Sequence, residues 1–227
     1  MRYKNIVKGT FINRPNRFIA NVDIEGAPTV CHVKNTGRCR ELLIPGATVF
    51  LEKSDNPERK TQYDLIAVYK EENLFNIDSQ APNKVFGEWL TSGKSCFDRI
   101  TNIKPECKYG NSRFDFYIEA DGRKIFAEVM GVTLENDGIL SFPDAPTERG
   151  TKHIRELCDC IENGYEAVVA FVIQTKNAKY FTPKADHAPA FAQELKNAHR
   201  KGVRIIALCC DVTSDSLSIS DYTEVRL

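Results

Sequence analysis

The 227-residue sequence has no apolar run approaching the length of a bilayer-spanning helix, which argues against an integral helical membrane protein and for a chain with no membrane partner. It has no surplus charge either: 31 basic residues balance 31 acidic ones, so net charge alone names no partner. Its eight cysteines never fall into a Cys-x-x-Cys spacing, which speaks against a structural zinc site. Their scatter fits buried thiols in a reducing compartment. Met1-Arg2-Tyr3-Lys4 leads into a strand-like run rather than a leader peptide, so the expected location is the cytoplasm. The sequence shows no internal repeat and no low-complexity tract, which leaves one large or two small globular domains.

What is present is unevenly spread. The first fifty residues carry Arg2, Lys4, Lys8, Arg14, Arg17, Lys34, Arg38 and Arg40 against Asp23, Glu25 and Glu41, a modest hint of nucleic acid or another polyanion. Residues 1–80 read as all β, with short alternating runs at Tyr3–Gly9, Arg17–Ile24, Thr29–Val33, Thr48–Leu51, Tyr63–Tyr69 and Leu74–Ile77. Turn segments such as Asn13-Arg14-Pro15-Asn16 separate them. An OB-like barrel of five strands is the natural candidate at this size, and such barrels bind nucleic acid through basic and aromatic groups. Within it, Asn35-Thr36-Gly37-Arg38-Cys39-Arg40 sets two arginines after a glycine. Gly37 lets backbone amides approach a phosphate, Arg38 and Arg40 can fork onto it, and Arg14 and Arg17 from an earlier loop can join them. The same arginines fit solvated side chains, or partners of Glu41 and Asp23, equally well.

Residues 81–227 change character. Ala81-Pro82-Asn83 reads as a break before an amphipathic helix over Lys84–Cys96, with Trp89 as a core or interdomain residue. A strand over Arg99–Cys107 precedes two alternating runs, Ser112–Glu119 and Lys124–Met130. A helix follows Phe142-Pro143-Asp144-Ala145-Pro146, capped by Asp144 or Thr147, with Ile154, Leu157, Cys158 and Ile161 as its apolar stripe. Ala167–Ile173 is continuously apolar, as in a central strand covered on both faces. A helix over Pro189–Lys201 and a strand over Val203–Cys210 complete an α/β domain with a mixed sheet. The whole is therefore expected to be α+β in two domains, an OB-like barrel over 1–80 and the α/β domain over 81–227.

Asp121-Gly122 signals a two-residue type I′ hairpin, and a turn there sets Asp115 directly opposite Glu128, about 4.5–5.5 Å apart at Cβ. Two ionised carboxylates at about 4–5 Å repel by roughly 3–4 kcal/mol at an effective dielectric of ~20. A fold accepts this for a shared proton, a cationic neighbour or a divalent metal. With Asp144 or Glu148 nearby the pair becomes a candidate Mg²⁺ or Mn²⁺ site, since hard cations take oxygen ligands. The hairpin taken alone fits an exposed polar face better; the rest of the chain reverses that.

The order Asp115, then Glu128-x-Met130, then a charged helix on a mixed sheet resembles the core of the PD-(D/E)XK restriction-endonuclease-like superfamily. More closely, Asn35-Thr36-Gly37-Arg38, Ser112-Arg113-Phe114-Asp115-Phe116, Glu128-Val129, Val132-Thr133-Leu134, Phe142-Pro143-Asp144-Ala145, Thr147-Glu148-Arg149-Gly150 and Lys152-His153 resemble the sugar fermentation stimulation protein A family. That resemblance implies an N-terminal OB-like domain, a C-terminal nuclease-like domain, DNA as partner and a regulatory role in sugar metabolism. The family pattern has a lysine where this chain has Met130, a position on the same face as Glu128. Losing a group that orients water or meets phosphorane charge costs about 10²–10⁴ in rate. Arg113 and Lys152 are the candidate substitutes. The expectation is a DNA-binding protein, contacting DNA through Arg14, Arg17, Arg38, Arg40, Arg113 and Arg149, with a metal site of Asp115, Glu128, Asp144 and Glu148. The alternative is an active nuclease working through Asp115 and Glu128, with Lys152 or Arg113 in place of the lysine missing at Met130; a purely structural interaction protein is the weakest rival. Monomer and homodimer both stay open.

Overall fold

The computed structural model describes residues 1–35 and 37–227; Thr36, within the arginine-bearing loop, lies outside the described residues. Among the described residues six strands open the chain: β1 (Ile6–Asn16), β2 (Ile19–Ile24), β3 (Ala27–Val33), β4 (Thr48–Lys53), β5 (Tyr63–Lys70) and β6 (Asn73–Asn76). They pair in the order β3-β2-β1-β4-β5-β6, and a parallel contact of His32 with Asp64 and Val33 with Leu65 closes the first five into a barrel. Alternation drives this: Ala20, Val22 and Ile24 of β2 point inward to meet Phe11, Val49, Leu51 and Leu65. Asn13-Arg14-Pro15-Asn16, expected as a turn, instead ends β1. Irregular pairing at Asn13 and Asn16 lets the strand carry Pro15, and the turn moves to Arg17-Phe18.

The second half holds α1 (Ala81–Leu90), β7 (Ile100–Tyr109), β8 (Ser112–Ala120), β9 (Arg123–Val132), β10 (Leu134–Asn136), β11 (Ile139–Phe142), α2 (Glu148–Glu162), β12 (Glu166–Ile173), β13 (Tyr180–Pro183), α3 (Pro189–Arg200), β14 (Arg204–Val212) and β15 (Leu217–Thr223). Pro82 does not break α1; it sits in the first turn, where its missing N–H leaves no bond unmade. The main sheet runs β15-β14-β12-β9-β8-β7, antiparallel at both edges and parallel where β9, β12 and β14 adjoin. Val168 to Ile173 of β12 are fully buried, each large apolar side chain contributing about 1.5–3 kcal/mol. One face of the sheet meets Val85, Phe86, Trp89 and Leu90 of α1. The other meets Ile154, Leu157, Phe191 and Leu195 of α2 and α3. Barrel and sheet join at Gln174, whose side-chain amide donates to Asn76 Oδ1 at 2.9 Å and to the Asp78 carbonyl at 3.0 Å. Among the described residues no helix is long and apolar enough to cross a membrane.

Candidate metal centre and nucleic-acid interface

The β8–β9 hairpin turns at Asp121-Gly122, both with positive φ (53° and 73°), as the type I′ geometry requires. Pairing from Ala120↔Arg123 to Phe116↔Ala127 follows the expected register. The ladder stops there, one step short of Asp115 and Glu128. Beyond it β8 loses its alternation: Phe116 packs with Phe86 on the α1 face, whereas Phe114 packs with Phe126 on the α2 face. At this break the Asp115 carboxylate reaches across. Its Oδ2 accepts the Val129 amide at 2.8 Å, and its Oδ1 accepts Asn83 Nδ2 of α1 at 2.7 Å. Burial raises the Asp115 pKa in spite of these two bonds.

Glu128 is 7% exposed. Its Oε1 lies 2.5 Å from His153 Nδ1, while its Oε2 is buried with no hydrogen-bond partner among the described residues. Burial, then the neighbouring Asp115 charge, pushes its pKa up, and the Glu128 hydrogen bond pushes that of His153 up. Arg149, one turn before His153 on α2, acts on the charge of all three groups. The Thr147 hydroxyl fixes this helix by accepting the Gly150 amide at 3.1 Å. What assembles is two desolvated acids faced by an imidazole and a guanidinium.

Several expected members lie elsewhere. Met130 is 6% exposed and packs in the α2-side core, so it brings no charge. Lys152 sits next to His153 in sequence but about 100° around the helix, pointing outward to Glu156 at 3.6 Å. Arg113 is exposed and pairs with Glu106 at 3.1 Å. Neither of these contacts sets a cation beside the carboxylates. Asp144 spends Oδ2 on the Arg38 amide at 2.8 Å, and exposed Glu148 lines a separate depression with His187 and Phe191. Among the described residues no three His, Cys, Asp or Glu side chains converge on one metal position. Of the four expected ligands, only Asp115 and Glu128 stand together.

The barrel arginines do meet, in two roles. Arg17, Arg38 and Arg40 surround a groove of about 390 Å³ that Asn13, Asn16 and Phe11 also line. Arg14 reaches the same place but is spent: its guanidinium donates to the carbonyls of Arg17, Asn35, Gly37 and Arg38 at 2.6–2.8 Å. It braces the loops instead of presenting a charge. Gly37 is needed for close approach, since a Cβ there would meet Asn35 Oδ1 and Asp144 Oδ2 at 2.8 Å.

Two family models match the chain: "SfsA N-terminal OB domain" over residues 12–77 and "Sugar fermentation stimulation protein RE domain" over residues 80–216. The chain belongs to the sugar fermentation stimulation protein family. It is 58% identical to the homolog of Clostridium beijerinckii, with 100% of both chains covered. To the homolog of Desulfitobacterium hafniense (strain DSM 10664 / DCB-2) it is 57% identical, covering 100% of this chain and 99% of that one. The solved structure of Pyrococcus furiosus SfsA in complex with Ca²⁺ superposes with a TM-score of 0.86 at 27% identity, over 100% of this chain and 98% of that one.

Within this family frame, two site residues escape sequence reasoning. His153 had a readable signal: an ionisable side chain at the inward spacing of Ile154 and Leu157 sits on an apolar stripe and requires a partner. Asn83 had none, because its bond to Asp115 spans 32 residues between a helix start and a strand.

Proposed function

We propose that this chain binds DNA and that its nuclease-like domain holds a divalent cation, Mg²⁺ or Mn²⁺, through Asp115 and Glu128, gripping DNA with little or no cutting. One observation carries this: among the described residues Glu128 Oε2 is buried without a partner beside a second desolvated carboxylate, where folds normally satisfy such atoms. The donors fit a hard cation. Glu128 has an unfilled oxygen, and each Asp115 oxygen, with one hydrogen bond accepted, keeps a free lone pair. Mg²⁺ asks for no more protein than that, because it keeps several waters and takes phosphate oxygens. The Ca²⁺ in the Pyrococcus furiosus relative, a cation of the same oxygen preference, supports this reading. When bound, the cation supplies Lewis-acid polarisation of a phosphodiester and offsets the carboxylate charge.

The chain's own residues do the rest. Arg149 attracts phosphate towards the carboxylates, and His153 fixes the Glu128 side chain. Arg17, Arg38 and Arg40 extend the basic contact onto the barrel. Met130 leaves the attacking water unpositioned and charge at phosphorus unmet. On this reading the role in sugar metabolism carried by the family's name is exercised through DNA, as a regulator. A second reading, a metal-dependent DNA nuclease, is favoured by His153 at 2.5 Å from Glu128, a titratable group standing where Lys152 and Arg113 do not.

Calorimetric titration with Mn²⁺ of the wild type, Asp115→Asn and Glu128→Gln tests the site. Each substitution is expected to weaken binding by about tenfold or more. Equal affinity in all three proteins removes the metal from this pair. Plasmid DNA with Mn²⁺ then separates the readings: retardation without nicking fits the binder, and nicking that Glu128→Gln abolishes selects the nuclease.

A further inference from the structure

We infer that the tip of the β1–β2 hairpin and the adjoining groove form a seat for an unpaired nucleotide, its base stacked on Phe18 and its phosphate held by Arg38 and Arg40. The inference rests on the nucleic-acid reading above and narrows it to single-stranded segments. Phe18 is 45% exposed, which alone means little, since single apolar residues are common on surfaces. Its company and its fixation are what matter. The Asn16 side-chain carbonyl accepts the amides of Phe18 and Ile19 at 2.9 and 3.1 Å, and Val33 donates to the Phe18 carbonyl at 2.8 Å. The ring is therefore presented from a backbone held at three points.

The Arg17 guanidinium lies 4.7 Å from the Phe18 ring centroid and also lines the groove that Arg38 and Arg40 border. An aromatic face, a guanidinium plane and two further cations thus share one surface. Arg14 locks this arrangement from within by holding the carbonyls of both loops, and Asp144 holds the Arg38 amide from the other domain. Such preorganisation lowers the ordering cost of binding. The groove, about 390 Å³, falls within the size range of small-ligand sites. A base inside a duplex has both faces covered by its neighbours, so only an unpaired base can use the ring. Stacking of this kind is tolerant of sequence, because every base has a π-face.

The test is fluorescence anisotropy with labelled oligo(dT), alone and annealed to oligo(dA), using the wild type, Phe18→Leu and Phe18→Trp. Phe18→Leu is expected to weaken single-strand binding by about tenfold, within the range for losing one base–aromatic stack, while duplex binding stays within about twofold. Phe18→Trp is expected to retain single-strand binding and to lose fluorescence when the strand is added, the native Trp89 being buried. If the wild type binds DNA and Phe18→Leu changes neither form, or both equally, the seat is overturned and the nucleic-acid reading survives. If the wild type binds neither form, both fall.

Discussion

Asp64, at the start of β5, and Glu128, within β9, are acids of almost equal burial, 5% and 7% exposed. Asp64 is surrounded: Arg59 donates to both its oxygens at 3.0 and 2.7 Å, His32 Nδ1 lies at 2.9 Å and Lys34 Nζ at 3.8 Å. Burial by itself raises its pKa, yet the Arg59 and His32 hydrogen bonds outweigh this and hold it below the ordinary value. Among the described residues Glu128 has one imidazole on one oxygen and no hydrogen-bond partner on the other, and burial raises its pKa. The same chain can saturate a buried carboxylate, so the open oxygen of Glu128 does not reflect a general shortage of partners. Asp64 closes the barrel where β3 meets β5; Glu128 keeps unused acceptor capacity on Oε2.

The largest expected effect comes from giving Glu128 the cation that Asp64 already has. Met130 lies two residues on, on the same face of β9, so Met130→Lys brings an ammonium towards the carboxylates. Cleavage of plasmid DNA in Mn²⁺ is expected to rise by about 10²-fold. A variant that binds Mn²⁺ and DNA normally but cuts no faster over a panel of substrates would show that a missing lysine is not what limits this site. Next in size is a stability contrast. Asp64→Ala leaves Arg59 and His32 facing an emptied, partly buried position and is expected to cost about 3 kcal/mol in denaturant unfolding. Glu128→Gln, in the absence of divalent cation, is expected to cost less than about 1 kcal/mol, since it removes a poorly satisfied charge. Equal losses would mean that Glu128 is as structural as Asp64.

How much of this was legible in the sequence follows from range. The hairpin register was readable because Asp121-Gly122 fixes it locally, and the barrel because its strands alternate. The closing contact of β3 with β5, the bond from Asn83 to Asp115 and the bond from Asp144 to Arg38 join residues 32 to 106 positions apart, which no local pattern encodes. Asp144 was misplaced for that reason: a carboxylate near the start of α2 reads as a ligand or a cap until the barrel loop docks on it. Arg14 shows the same limit. Its charge was legible, but not that four backbone carbonyls would consume it.

The smallest effect, and the sharpest on the comparison, is the sign of the pH dependence. Asp64 has a folded pKa below its ordinary 3.8, so its contribution is present above that value and is lost as pH falls through the folded pKa. Glu128 and His153 are raised above 4.5 and 6.5 respectively, so the folded pair keeps protons that the unfolded chain has already released. Their contribution is present below those values and is lost as pH climbs through the folded pKa values. One proton held in this way changes stability by at most about 1.4 kcal/mol per pH unit. Measured as wild type minus variant, without divalent cation, the Asp64→Asn difference in Tm should shrink as pH drops below about 4. The Glu128→Gln difference should fall as pH rises from about 4.5 towards 8, because that substitution removes the acid and the chief cause of the His153 shift together. Saturating Mn²⁺ should flatten this second slope, since a cation on the pair favours the ionised carboxylate. A flat Glu128→Gln difference across that range, with or without Mn²⁺, would show that Glu128 and His153 titrate alike in the folded and unfolded chain and would leave the open oxygen without a role.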